Sequence, residues 1–220
     1  MTASLGRRKT AEAAGTGLLV AVVVGSGIQT TELTRDVGLQ LLANSLAAVF
    51  GLGVLILLLG PVSGAHFNLA VTLAAWFTGR RTADGLSLRD VAAYVPAQST
   101  EAIGGAILAD VMFASPLVQF STHDWSTGRL WLGEVVATAG LILLIFGLGR
   151  IGRASLAPVA VASCIGAACW FTPSTSFANP AVTIGGSSRT PSPASRPRPS
   201  TSRSARQAPS TPSTGPWPKQ

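Results

Sequence analysis

The chain has 220 residues, 47% hydrophobic and only 11% charged, with a mean hydropathy of +0.44. That composition excludes an ordinary soluble domain and points to an integral membrane protein. The formal charge of +7 is uneven: residues 1–186 hold 10 Lys/Arg against 9 Asp/Glu, while residues 187–220 hold 6 Lys/Arg and no acid, so the high pI is not evidence of nucleic-acid binding.

The first apolar run, about 11–30, follows Arg7-Arg8-Lys9 and has no small-x-small cleavage context. It reads as a membrane helix rather than a removable signal. A second run covers 37–59. Residues 63–79 come next, from Ser63-Gly64-Ala65-His66-Phe67-Asn68 to Trp76-Phe77-Thr78-Gly79, and are too short to span. They predict a re-entrant turn and half-helix, a backbone tolerated at membrane depth only where protein or a watery cavity satisfies it. Further spans are predicted at 91–114, 130–149 and 154–172, and a second re-entrant element at 173–186. Within 91–114, Glu101 stands where close helix packing favours a small residue. It either lines a pore or destabilises the helix. Cys164 and Cys169 share one apolar run and read as small apolar filler; two cysteines exclude a disulfide framework.

Basic residues cluster before the first run, after the second and after the fourth, at Arg7, Arg8, Lys9, Arg80, Arg81, Arg89, Arg150 and Arg153. This positive-inside pattern places the N-terminus in the cytoplasm of a multi-pass plasma-membrane protein. An internal repeat is also visible. Glu12-Ala13-Ala14-Gly15-Thr16 opens the first run and Glu134-Val135-Val136-Ala137-Thr138 the fourth, and each leads to an Asn-x-Ala-Val-Thr element. Three spans per copy is an odd number, so the second copy is inverted in the membrane. The division is residues 1–114 for the first repeat, 115–186 for an incomplete second and 187–220 for a tail. The tail carries 8 Pro, 9 Ser and 6 basic residues and reads as disordered, leaving the sixth helix without a counterpart in sequence. Its abrupt onset fits a GC-rich gene read out of frame better than a genuine extension or a lipid-binding segment.

Two motifs carry a resemblance. They are Ser63-Gly64-Ala65-His66-Phe67-Asn68-Leu69-Ala70-Val71-Thr72 and Phe177-Ala178-Asn179-Pro180-Ala181-Val182-Thr183, their Asn residues 111 positions apart. Over residues 10–186 the chain resembles the aquaporin / major intrinsic protein family. The resemblance implies an all-α membrane protein: an aquaporin-like inverted repeat with two re-entrant half-helices, its sixth transmembrane helix missing. It implies a passive channel for water and small neutral solutes such as polyols or neutral metalloid acids, assembled as a homotetramer in the lipid bilayer. Asn68, Leu69, Ala70, Asn179, Pro180 and Ala181 would form the pore motif, where two half-helix N-termini oppose cations and protons. Leu69 replaces the family's usual Pro. Val182 stands where an Arg commonly follows the second motif. By spacing, the selectivity constriction would comprise Ala48, Ala167, Ser176 and Val182, small and without fixed charge. Glu12 and Glu134 would support the re-entrant turns by accepting backbone N–H bonds, and His66 would pack or bond within its turn.

No metal site, cofactor or catalytic constellation is expected. His66 and His123 fall on opposite sides of the membrane in this topology, and no second ligand lies at metal spacing. The rival reading is a truncated, non-conducting membrane protein.

Overall fold

The computed structural model describes residues 3–80, 85–115 and 128–173. Among them there are helices and no strands. In chain order the helices are α1 (Leu5–Leu33), α2 (Val37–Ser63), α3 (Leu69–Gly79), α4 (Leu88–Met112), α5 (Gly128–Arg150) and, after a 3-10 turn at Ala154–Leu156, α6 (Ala157–Phe171). The last predicted span therefore divides. Pro158 sits in the first turn of α6, where its missing N–H costs no helical bond, and this sets the helix start. The second re-entrant element and the tail lie outside the described residues.

Among the described residues, four segments are long and apolar enough to cross a membrane: α1, α2, α5 and residues 154–171. At 25 residues α4 has the length, about 37 Å at 1.5 Å per residue, but not the apolarity. The reason lies in its packing. Asp90, Tyr94, Gln98 and Asp110 are all buried, so these four polar residues face protein and not lipid. By contrast Phe50, Leu57, Leu143 and Val159 are each more than half exposed, an apolar exterior suited to hydrocarbon.

Near contacts fix the directions. Arg8 near the start of α1 pairs with Asp90 in the first turn of α4, Gly17 meets Glu101, and Gly25 meets Phe113, so α1 and α4 are parallel. Ser87 and Asp90 close a reciprocal capping box on α4. Asn44 and Gly51 of α2 meet Val23 and Val22 of α1 in antiparallel order. Gly53, Val49 and Ser45 of α2 meet Ala162, Gly166 and Trp170 of α6, also antiparallel. That is the relation an inverted repeat requires of its second helices. The close approach expected at position 101 falls at Gly105 instead: a Cβ there would lie 2.0 Å from the Gly17 carbonyl oxygen. Glu101 is exposed on the outer face of α4 beside Gly17 and Gly104, and it is not a cavity-lining residue.

Candidate functional site: a re-entrant turn opening on a cavity

The turn begins where α2 stops. Gly64 takes φ +93°, a left-handed cap whose N–H bonds the Gly60 carbonyl at 2.9 Å. Ala65 and Phe67 also hold positive φ, 49° and 47°. For residues with a Cβ this conformation costs about 1–3 kcal/mol each and needs surrounding contacts to hold it. Those contacts converge on Glu12, which is fully buried in α1. Its Oε1 accepts the His66 N–H at 3.0 Å, and its Oε2 accepts the Phe67 N–H at 2.8 Å and Gln98 Nε2 at 2.8 Å. Three donors directed at two oxygens use a carboxylate in its acceptor-only form.

Gln98 extends this network. Its Nε2 also donates to Thr72 Oγ1 at 3.0 Å, and that hydroxyl lies 3.2 Å from His66 Nδ1. Tyr94 packs edge-on against the His66 ring, at 5.9 Å and 68°, and donates its hydroxyl to the Ser63 carbonyl at 3.1 Å. The turn is thus clamped from α1, α3 and α4 together. Phe67, wholly buried, fills a notch above Gly15. A Cβ at Gly15 would sit 2.0 Å from the Phe67 ring, so Gly15→Ala should expel the ring and cost about 1–3 kcal/mol. Thermal unfolding in detergent measures this; a melting curve superimposable on wild type would contradict the packing argument.

Asn68 ends the turn and starts α3. Its Oδ1 accepts the Ala70 N–H at 2.9 Å and the Val71 N–H at 3.4 Å, an N-cap that orients the helix terminus toward the turn. Leu69 takes the first helical position and Ala70 the second. The half-helix forms without the missing Pro because the Asn68 cap already satisfies its first donors. Beside the turn lies a cavity of about 250 Å³ between α1, α2, α5 and α6. Its polar surface comes from residues 64–68 and from Asn44; Leu19, Leu52, Ile56, Leu141 and Val161 supply apolar walls.

Residues 1–190 match the family model of the major intrinsic proteins. The chain belongs to the major intrinsic protein family. It is 49% identical over 180 residues to aquaglyceroporin AqpS of Rhizobium meliloti (strain 1021), covering 82% of this chain and 75% of that protein. It is 30% identical over 215 residues to the glycerol uptake facilitator protein of Pseudomonas aeruginosa, covering 84% and 74% respectively. The fold is similar to the X-ray structure of the aquaglyceroporin from Plasmodium falciparum, with a TM-score of 0.62 at 21% identity over 83% of this chain and 79% of that one. As a major intrinsic protein the chain is a multi-pass membrane protein of a channel family, not a member of an enzyme family.

Within this family frame the predicted site residues separate. Ala48, buried on α2, lines the cavity. Ala167 does not: it is exposed on α6, while Ile165 and Cys169, two positions either side, line the wall. Residues two apart on a helix point to nearly opposite faces, which accounts for the difference. Cys169 therefore faces the cavity, whereas Cys164 packs against the core. Glu134 is half-buried near the start of α5. Ser176, Asn179, Pro180, Ala181 and Val182 lie outside the described residues. Sequence reasoning missed Gln98, Thr72, Tyr94 and Asn44 as site residues. The available signal was their polarity inside apolar runs, which marks intramembrane residues for attention.

Proposed function

We propose that the chain conducts water and small neutral solutes of the polyol or neutral metalloid-acid class through a pore beside the Asn68 turn. The observation that carries this reading is the capped N-terminus of α3 beside a mostly apolar cavity. A helix N-terminus bears roughly half a positive charge, which opposes cations and protons but tolerates neutral solutes. Asn68 then offers a side-chain amide to the solute, with Leu69 and Ala70 shaping the turn. Asn179, Pro180 and Ala181 provide the opposing element. Ala48, with Ser176 and Val182 but without the outward-facing Ala167, would make a wide constriction without fixed charge; the lining by Ala48 supports its part in this set. Glu12 and His66 support the first turn and Glu134 the second. Residues 1–114 and 115–186 act as the two repeats, with 187–220 a tail outside them. The working unit is a homotetramer in the plasma membrane with a cytoplasmic N-terminus. The names of the aquaglyceroporin and glycerol-facilitator relatives support the solute class.

Purified chain in liposomes tests this by stopped-flow light scattering. Glycerol and water permeability should exceed those of empty vesicles without a proton leak, and Asn68→Leu should lower both at least tenfold, given about 2 kcal/mol lost with a buried polar contact. Water flux without solute flux would count against the wide constriction. No flux from folded protein would support the non-conducting alternative.

A further inference from the structure

The α2 wall of the cavity is one stripe: Asn44, Ala48, Leu52 and Ile56. Residues four apart share a helix face, and twelve residues at 1.5 Å each give the stripe a depth of roughly 18 Å. The Ile56 end lies toward the polar turn. The middle is hydrocarbon. The far end is an amide.

That amide has a fixed orientation. Asn44 Nδ2 donates to the Val23 carbonyl at 2.8 Å and to Ser26 Oγ at 3.1 Å. The Ser26 hydroxyl in turn donates to the Val22 carbonyl at 2.6 Å. A flipped amide would set Oδ1 against the Val23 carbonyl oxygen, so the bonding partner itself decides the orientation. Gly27 leaves room for the contact, since a Cβ there would come within 3.3 Å of Asn44 Nδ2. With both N–H groups spent on α1, the atom Asn44 brings to the cavity is its carbonyl oxygen.

We infer that Asn44 is a specificity-determining residue: its Oδ1 accepts an O–H hydrogen bond from an entering polyol. This rests on the channel reading above. A polyol entering the apolar stretch from Ala48 to Ile56 gives up hydration at several hydroxyls at once. A fixed acceptor at the mouth restores one of those bonds and orients the carbon skeleton along the stripe. Water is small enough to bring its own hydrogen-bonded neighbours and depends less on the station. Asn44 therefore raises polyol flux relative to water flux.

The test is the ratio of glycerol to water permeability in liposomes holding the full chain. Asn44→Leu should lower the ratio about fivefold while water permeability stays within about twofold, the scale of one neutral hydrogen bond. Asn44→Ala, which cannot overpack, should show the same fall, and Asn44→Gln should restore part of it. An unchanged or raised ratio in the Leu and Ala variants overturns the inference, as does an equal fall of both permeabilities, which marks a merely structural residue. Absence of all flux from folded wild-type chain defeats the channel reading and this inference with it; flux with an indifferent ratio defeats this inference alone.

Discussion

Glu12→Gln should abolish most solute flux and lower the thermal stability of the detergent-solubilised protein. The reason is a count of donors. His66 and Phe67 present backbone N–H groups to the two carboxyl oxygens, and Gln98 adds a third donor. A Gln at position 12 has one acceptor oxygen and one NH₂. In either orientation the NH₂ faces another donor, and at least one buried N–H loses its partner. A hydrogen bond to a charged group contributes about 1.5–3 kcal/mol, and an unsatisfied buried donor costs on a similar scale. The left-handed backbone at Ala65 and Phe67 then loses the contact that holds it. A drop of about 3 kcal/mol follows, with flux reduced at least tenfold. Glu101→Gln is the control, because Glu101 is exposed on the outer face of α4 and should tolerate the change. Equal melting and equal flux for both variants would show that the Glu12 carboxyl does not hold the turn.

The second large effect concerns the crossing of α1 and α4. A side chain at Gly105 would meet the Gly17 carbonyl oxygen at 2.0 Å and its carbon at 2.8 Å. Both are backbone atoms, so no rotamer change relieves the clash and the helices must separate. Separation opens the small-residue interface where Val20, Ala102, Ala106 and Ala109 are buried together. Gly105→Val should therefore cost about 3 kcal/mol or more, through overpacking and lost contacts. Gly104→Val is the comparison, because the nearest atom to a Cβ there is the Glu101 carboxyl at 3.4 Å, the end of a flexible side chain. Limited proteolysis and thermal unfolding in detergent should separate the two variants clearly. If Gly105→Val were as stable as Gly104→Val, the close approach of α1 to α4 would not be a determinant of the fold.

Both variants act on features with different visibility in the sequence. The Gly105 contact was foreseen in kind, as a small residue on the fourth helix, but assigned to position 101. The two positions lie four apart, one turn along and rotated by only about 40°, enough to move a side chain from the centre of the packed face to its edge. The same sensitivity separates Ala167 from Ile165 and Cys169 on α6. Spacing from Asn179 locates a depth along the helix. It does not fix which way the side chain points.

What the sequence determined by itself is what depends on local length and hydropathy. The spans at α1, α2, α5 and α6, the short segment that cannot cross, and Asn68 as the start of α3 are all of this kind. Each is a property of about twenty contiguous residues or fewer, because a membrane helix satisfies its own backbone within one segment. The tertiary structure alone decided which groups meet. Glu12 reaches His66 and Phe67 across more than 50 residues of chain, and Gln98 reaches Glu12 across 86. Phe67 is accepted only because Gly15 of another helix leaves it a notch, and the Asn44 amide is oriented because α1 accepts from its Nδ2 at both Val23 and Ser26. These arrangements depend on the rotation and crossing of helices, which are set by side-chain packing between segments far apart in the chain, and no single segment carries that information.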